Sequence, residues 1–340
     1  MTRLFTDGAE SGDMLRWSTA SGQVVSTVQK RTGAYSYRIL SYPGGTYIER
    51  TVSSITEFYI RFAAFYSYVG TNRVFSWFNG ASEGGSLRPK TWGAGAASID
   101  MYDGTTLRAT SSLVTMNENE WHVFEVHVKI AGAGVGRFEV KFDGTLILDF
   151  TGVTNTQAAM DRFRLYNCET TSSGIYHYVY CDDIALNDTA GGVNNSWCGD
   201  GGVLAALVPI TGAAEYADLI ASAGNAWDCV NEIPANSTDY VYESTVNKKS
   251  TYLLSDVAGL PSGASIARVW VELDALETAA DGDKIATLLR SASTDSQGAD
   301  QALTIAYARY VSAEYLVDPA DSAAWDTTKV NALQAGAVVR

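Results

Sequence analysis

The sequence is poor in the residues that bind transition metals. Its 340 residues include only four cysteines and three histidines, no Cys-x-x-Cys pair occurs, and the histidines are scattered. Zinc-type spacing is therefore absent. Cys168 and Cys181 flank a predicted hairpin. Whether they form a disulfide, which would need an oxidising compartment, or stay free thiols is left open by the sequence.

Basic residues are also scarce, with 24 Lys and Arg against 38 Asp and Glu. Residues 1–192 hold 16 basic and 19 acidic residues, a net of −3, whereas residues 193–340 hold 8 and 19, a net of −11. Such a surface repels phosphates, so we expect no nucleic-acid partner. No apolar run approaches the roughly 20 residues that a bilayer requires, so we expect no membrane partner. The opening MTRLFTDGAESGD lacks an apolar segment, and we expect no signal peptide.

Aromatic residues and glycine are abundant, and they favour β-sheet: the chain has 19 Tyr, 11 Phe, 8 Trp and 31 Gly. Residues 120–151 predict three antiparallel strands, because apolar and polar side chains alternate along them. Asp143-Gly144 predicts the tight hairpin between the last two, since that turn needs positive φ. About a dozen such strands precede residue 188, and we expect the first, Arg3–Thr6, to pair beside the last, Ile175–Ala185.

A glycine-rich linker, Thr189–Asn195, divides the chain where composition and charge change. Beyond it we predict long strands at Ile266–Leu276 and Ala302–Val317. Asp326–Gln334 predicts a short helix with Asp326 as its N-cap, stopped by Gly336. The sequence therefore predicts an all-β fold with two β-sandwich (jelly-roll) domains in tandem, at residues 1–190 and 196–340.

Two sets of segments carry a family resemblance. LFTDGAE near the start and YHYVYCDDIALND near residue 188 resemble the first and last strands of laminin-G/concanavalin A-like jelly rolls. The segments STYLLSDVAGL, VWVELDALE and DPADSAAWDTTKVNALQAG are similar to the β-sandwich module that follows such jelly rolls in virion structural proteins of tailed bacteriophages.

The resemblance implies a non-enzymatic structural component on the exterior of a tailed-phage virion, either a head decoration or a neck or tail appendage. Such a protein would be assembled in the host cytoplasm, with capsid or tail subunits as partners. Repeated virion positions imply homo-oligomers, most often trimers. The alternative is a glycan-binding protein for receptor recognition or adhesion that contacts a cell-surface glycan.

The resemblance also implies a structural calcium, because calcium often joins the terminal strands of related jelly rolls; otherwise we expect no cofactor. The candidate ligands are Asp7 and Glu10 near the first strand and Asp182 and Asp183 in the last, since calcium prefers hard oxygen ligands. In a regular strand neighbouring side chains point to opposite faces, so we expect only one of Asp182 and Asp183 to bind directly. The alternative is that these are ordinary turn and cap carboxylates.

Exposed aromatic rings stack on sugars, and four aromatic residues lie in or near predicted loop ends. The candidate glycan-binding residues are Trp77, Trp92, Tyr102 and Tyr166. The alternative is that these side chains belong to the core.

Catalytic patterns are few. There is no GxGxxG, phosphate-binding loop or nucleophile elbow. Glu272, Asp274 and Glu277 form an E-x-D-x-x-E motif, similar to the catalytic strand of laminarinase-type β-glucanases, and a retaining glycosidase needs two carboxylates about 5–5.5 Å apart. The motif lies in the second predicted domain and runs straight into a turn, so we interpret it as a solvated strand face. From the sequence we predict that the protein is not an enzyme.

Overall fold

The computed structural model describes residues 3–20, 23–40, 46–93, 95–132, 134–167, 177–257 and 260–340, apart from the side chains of residues 20 and 91–93. The chain forms two compact units, Met1–Leu204 and Ala205–Arg340. Their division lies beyond the predicted linker Thr189–Asn195, because residues 197–203 bond to the first unit. In the described part of the chain, no helix is long and apolar enough to cross a membrane.

The first unit consists of sixteen described strands. In chain order they are β1 (Arg3–Asp7), β2 (Thr19–Ala20), β3 (Gln23–Ser26), β4 (Ser36–Leu40), β5 (Tyr47–Ile55), β6 (Glu57–Tyr66), β7 (Phe75–Asn79), β8 (Ser82–Gly93), β9 (Ala96–Asp103), β10 (Thr106–Thr110), β11 (Val114–Thr115), β12 (Trp121–Lys129), β13 (Gly136–Phe142), β14 (Thr145–Gly152), β15 (Met160–Tyr166) and β16 (Tyr178–Asp188).

These strands form two eight-stranded antiparallel sheets that enclose one apolar core. The first sheet has the order β14-β13-β12-β6-β16-β4-β3, with β1 also paired to β16. The second has the order β10-β9-β8-β7-β15-β5-β2, with β11 paired to β9. Alternate side chains from both sheets, such as Phe62 and Phe124 of the first and Phe75 and Phe163 of the second, fill the space between them.

Several strand predictions are confirmed in this unit. The block 120–151 forms β12, β13 and β14 in the expected antiparallel order. Asp143 and Gly144 turn the last hairpin with φ of 48° and 78°, the left-handed conformation that the Asp-Gly pair predicts. The first strand pairs antiparallel with the last, β1 with β16, as expected.

The second unit is smaller and also built from strands. These are β17 (Pro209–Ile210), β18 (Ile220–Ala221), β19 (Val241–Tyr242), β20 (Lys249–Leu254), β21 (Glu272–Ala275), β22 (Lys284–Ser291), β23 (Thr294–Gln297), β24 (Gln301–Ala302), β25 (Ala308–Val311) and β26 (Gln334–Val339). A 3₁₀ turn (Asp228–Val230) and one α-helix, α1 (Thr327–Asn331), complete it.

A six-stranded sheet, β17-β20-β26-β22-β23 with β24 beside β22, forms the body of this unit. β18 pairs with β19, and β21 pairs with β25. Val271, Leu289, Trp325, Val330 and Leu333 form its largest described apolar cluster. The all-β class, with two β-sandwich domains in tandem, is confirmed.

Two strand lengths and one helix end in this unit differ from the predictions. The predicted strand Ile266–Leu276 is regular only at β21, and Ala302–Val317 only at β24 and β25. Asp326 caps α1 as predicted, and its side chain accepts a hydrogen bond from Lys329 N at 2.8 Å. The helix ends at Asn331, because β26 begins only three residues later at Gln334, and Gly336 is an internal residue of that strand.

Candidate active site

The two outer faces of the first unit differ in what lies on them. Residues 197–203, here called the strap, bond to the outer face of the first sheet: Gly199 N donates to Glu125 Oε1 at 2.8 Å, and Arg61 Nη1 donates to Gly199 O at 2.8 Å. The outer face of the second sheet instead carries polar and aromatic side chains in cross-strand rows. That second face is the candidate site.

One row of side chains crosses five strands of the second sheet. Arg164 on β15 lies opposite Glu49 on β5 and Ser76 on β7, and Ser86 on β8 lies opposite Ser76 and Tyr102 on β9. The intervening residues of these strands, for example Phe163, point into the core, so strand alternation places the whole row outside. Ser76 and Ser86 are fully buried, so longer side chains form the layer above them.

Four arginines form that layer, and we call this surface the arginine face; between 20% and 32% of each side chain is exposed. The Glu49 carboxylate forms ion pairs with two of them, with oxygen–nitrogen distances of 2.6 Å to Arg164 and 3.5 Å to Arg162. Glu83 holds the other two, Arg73 at 2.9 Å and Arg88 at 3.5 Å. A third acid, Asp100, lies opposite Arg88 and accepts a hydrogen bond from Thr110. Four cations face three carboxylates, so this surface is positive in an acidic protein.

Tyr166 lies beside the guanidinium group of Arg164 and is 7% exposed. Burial raises the pKa of the Tyr166 phenol, and this effect outweighs the lowering by Arg164 and Ser76. For Arg164 the balance is reversed: burial lowers the pKa of its guanidinium, but interactions with Tyr166 and Glu49 raise it overall. The pair is therefore a neutral phenol next to a permanent positive charge at neutral pH.

The four predicted glycan-binding residues do not form one surface. Trp77 is 1% exposed and points into the core, so its ring is not available to a sugar and that prediction is wrong. The side chain of Trp92 lies outside the described residues. Tyr102 and Tyr166 both lie on the arginine face, but the guanidinium of Arg88 sits 4.2 Å from the Tyr102 ring centre and occupies one side of that ring.

Trp77 packs over a glycine pair in the neighbouring strand. A Cβ atom at Gly84 would overlap the six-membered part of the Trp77 ring, and one at Gly85 would lie 2.6 Å from its Nε1. The indole therefore fits only because β8 has no side chains there.

The sequence interpretation missed the arginines that define the site. A signal for them was present, because Arg162 and Arg164 alternate with buried Phe163 on one strand. Glu49 lies on another strand distant in sequence, so only the β5–β15 pairing brings it beside them.

The four predicted calcium ligands lie buried in one region of the first unit. Glu10 accepts hydrogen bonds from the backbone N–H groups of Ala34 and Tyr35 at 2.9–3.0 Å. Burial raises the pKa of Glu10 to about 7, with further raising by the charges of Asp183 and Asp7. Burial and the charge of Asp183 raise the pKa of Asp182 to about 8. Burial therefore favours the protonated forms of Glu10 and Asp182.

The expectation that Asp182 and Asp183 point to opposite faces is wrong. β16 contains a bulge between Asp182 and Ala185, and Asp183 has a φ of 52°. Both carboxylates consequently reach the same loop: Thr32 N donates to Asp182 Oδ2 at 3.3 Å, and Thr32 Oγ1 donates to Asp183 Oδ1 at 2.6 Å. Arg31 also pairs with Asp183 at 2.9 Å. Hard oxygen atoms of this kind suit a calcium ion.

The first two carboxylates of the E-x-D-x-x-E motif form ion pairs with one arginine. Arg309 lies 3.2 Å from Glu272 and 2.6 Å from Asp274. Glu277 instead joins Asp281 and Asp283, and ligand oxygens of these three carboxylates lie within 4.8 Å of one another, close enough to hold a metal ion. Cys168 lies outside the described residues, so the described structure does not test whether it pairs with Cys181, which is buried in the core.

No protein-family model matches this sequence, and no curated protein matches it at a significant level. Solved structures similar to it include the alginate lyase Aly36B, at 16% identity and a TM-score of 0.38, covering 55% of this chain and 93% of that chain. An endo-β-1,4-glucuronan lyase from the fungus Trichoderma reesei has 16% identity and a TM-score of 0.37, covering 55% and 95%. A carbohydrate esterase from the Shiga toxin-encoding bacteriophage phi24B has 18% identity and a TM-score of 0.40, covering 55% and 98%.

These similarities concern the β-sandwich fold, and they contradict two sequence-based predictions. We predicted a non-enzymatic structural component of a virion exterior, with a glycan-binding receptor-recognition protein as the alternative. The similar structures are polysaccharide lyases and a carbohydrate esterase. The predicted function and the prediction that the protein is not an enzyme are therefore withdrawn.

Proposed function

We propose that the first unit is a carbohydrate-active enzyme that binds an acidic polysaccharide on the arginine face and cleaves it by β-elimination. The observation that carries this proposal is the contact between Tyr166 and Arg164 within a positive surface. Two of the similar structures are named as lyases of alginate and of glucuronan, both polymers of uronic acids.

The chemistry of elimination matches what these side chains offer. A base removes the proton from the carbon next to the uronate carboxylate, the electron pair forms a carbon–carbon double bond, and the bond to the glycosidic oxygen breaks. Arg162 and Arg164 would stabilise the negative charge that develops on the carboxylate. The Tyr166 phenolate would take the proton and, as the phenol, return it to the leaving oxygen, so no proton is gained or lost.

A serine-type esterase is a second reaction class among the similar structures, and Ser76 and Ser86 lie on the same face. Such a nucleophile needs a histidine or equivalent base within hydrogen-bond reach. His122 and His127 lie on β12 and His177 directly precedes β16, all in or beside the first sheet. The arginine face therefore favours elimination over serine-dependent ester hydrolysis.

A direct test measures cleavage of alginate, glucuronan and a neutral β-glucan by the full chain, following absorbance of the new double bond. We expect cleavage of a uronate polymer only. Tyr166→Phe should reduce the rate at least about 100-fold, because general acid–base groups contribute about 10²–10⁴. Tyr307→Phe, an exposed tyrosine of the second unit, is the matched control. Full activity in Tyr166→Phe, or wild-type protein inactive on every uronate polymer, would show the proposal to be wrong.

The pH profile adds an independent readout. The reacting form is the phenolate and burial raises the pKa of Tyr166. The rate should therefore increase with pH from neutral into the alkaline range, about tenfold per pH unit below that pKa.

We further propose a structural calcium at the predicted ligands Glu10 and Asp182, which offer hard oxygen atoms. Among the described residues, the three carboxylates whose oxygens lie within 4.8 Å of one another are instead Glu277, Asp281 and Asp283, and they are the second candidate. The predicted virion location, the capsid or tail partners and the homo-oligomer stay predictions of the sequence.

A further inference from the structure

The β18–β19 ribbon of the second unit exposes a compact group of large apolar side chains. Tyr240 and Tyr242 are two residues apart and therefore share one side of the ribbon, and Ile220 lies directly opposite Tyr242. Their exposed fractions are 46%, 50% and 50%. We call these three residues the tyrosine platform.

The two rings are held next to each other. Their centres are 6.1 Å apart and their planes are inclined by 61°. The backbone on both sides is fixed, because Ser222 N donates to Tyr240 O and Tyr240 N donates to the Ser222 hydroxyl, each at 2.8 Å. The rings are thus positioned before any ligand arrives, which reduces the ordering cost of binding.

The charges around the platform determine which ligand fits. No lysine or arginine occurs between residues 205 and 247. The next two basic residues are engaged, Lys248 with Asp218 at 3.3 Å and Lys249 with Asp295 at 3.3 Å. Glu243, next to Tyr242, has its pKa lowered by hydrogen bonds from Thr245 and Ser244 and is therefore ionised. The ribbon therefore offers no unpaired lysine or arginine from residues 205–249 to an anionic ligand.

We infer that the tyrosine platform is a binding site for a neutral glycan. The C–H groups of a pyranose face are slightly positive and pack on the negative face of an aromatic ring. Two rings and one aliphatic side chain make an open surface, whereas quaternary ammonium ligands are bound in enclosing aromatic cages.

This site is separate in location and charge from the arginine face, and it does not depend on the function proposed for that face. With both sites, the chain would bind a neutral glycan on the second unit and cleave an acidic glycan on the first.

Affinity electrophoresis of the full chain tests the inference in native gels containing a soluble β-1,4-glucan, a β-1,3-glucan, a galactomannan or alginate. We expect retardation in at least one neutral gel. Tyr242→Ala and Tyr240→Ala should each reduce the apparent affinity at least fivefold, and Tyr307→Ala, also exposed in the second unit, should not. Thermal unfolding of each variant confirms that it is folded.

The outcomes separate this inference from the proposed enzyme. Retardation kept in Tyr166→Phe, together with uronate cleavage kept in Tyr242→Ala, would show that the two sites are independent. No retardation of the wild-type chain in any neutral gel would overturn the inference, whatever the result for cleavage. It would also be overturned if tetramethylammonium alone bound the platform, or if Tyr242→Ala only changed the molar mass from light scattering, which would assign the platform to a second copy of the chain.

Discussion

Glu10 and Asp182 are carboxyl groups whose surroundings work against their negative charge. Burial is the largest cause in both cases, and neighbouring carboxylates add to it. The pKa values of about 7 and about 8 mean that both groups hold protons in the folded protein at pH values where the unfolded chain has lost them. A cation bound there would replace those protons.

We therefore expect the free energy of unfolding to fall as the pH rises when no cation is bound at these groups. Because the folded pKa values are raised, the folded state binds more protons than the unfolded chain between about pH 4 and 8, and raising the pH through this window lowers the free energy of unfolding. In EDTA, the Tm of the first unit should fall by several degrees from pH 5 to pH 8, since about 1 kcal/mol corresponds to roughly 2–4 °C.

Millimolar calcium should restore the Tm at pH 8 and have little effect at pH 5, where the carboxyls are protonated. Glu10→Gln, which is neutral at every pH, should flatten the profile in EDTA and weaken the calcium effect. A Tm at pH 8 that calcium leaves unchanged would rule out the calcium site, and a pH-independent Tm in EDTA would contradict the raised pKa values.

Single-residue predictions from the sequence succeeded where local chemistry decides. Asp143-Gly144 and the N-cap Asp326 are correct because a turn and a cap depend on a few consecutive residues. The glycan-binding prediction for Trp77 failed because nothing near this residue in the sequence shows which side of the strand faces the core. The expectation that Asp183 points away from Asp182 failed because the bulge in β16 breaks the regular alternation of side chains.

At the scale of elements, the strap shows how a segment without regular structure becomes part of a sheet face. The Trp197 ring lies edge-on to Tyr59 at 5.5 Å and to His127 at 6.0 Å, and the ammonium of Lys141 lies 4.1 Å from its centre. His127 itself bridges two carboxylates, Glu139 at 2.5 Å and Glu57 at 3.0 Å.

Removing the ring should loosen the strap. We expect Trp197→Ala to lower the free energy of unfolding of the first unit by about 1–3 kcal/mol, below the roughly 3–5 kcal/mol of a fully buried tryptophan because the ring is partly exposed. Denaturant unfolding measures this, with Val193→Ala, an exposed residue of the linker, as control. Equal stability of the two variants would mean that the ring contacts contribute nothing.

Strands of the first unit were predictable because each has one buried and one solvent-facing side, so that apolar and polar residues alternate in the sequence, as in β12 to β14. Strands of the second unit were harder to predict. Ile266 and Val269 form only isolated bridges, to Trp325 and Tyr315, although the residues around them alternate as a strand would. Alternation shows which side chains are buried, whereas a continuous ladder also needs a partner strand of equal length.

At the scale of the whole chain, the boundary between the units follows hydrogen bonds and not composition. The glycine-rich linker ends at residue 195, but Val203 N still donates to Asp183 Oδ1 at 2.9 Å within the first unit. A sequence shows where composition changes; it does not show which distant carboxylate a backbone N–H will meet. The arginine face is unpredictable for the same reason, since it is assembled from five strands.

Truncation tests this boundary. We expect residues 1–204 to fold alone and residues 1–192 to be less stable by several degrees in Tm, because the shorter piece leaves Arg61 and Glu125 without their strap partners. Circular dichroism during heating measures both. Equal Tm values would place the boundary in the linker after all.

The packing of Trp77 against Gly84 and Gly85 has a consequence for how this chain can change over evolutionary time. A larger residue at Gly84 meets the indole at once, and a smaller residue at Trp77 leaves a void above two glycines. Each substitution alone lowers the stability of the fold, whereas the two together can restore the packed side-chain volume. The order in which substitutions arrive therefore matters here: a lineage that holds the tryptophan is confined to glycine in β8 until a rare double change releases both positions.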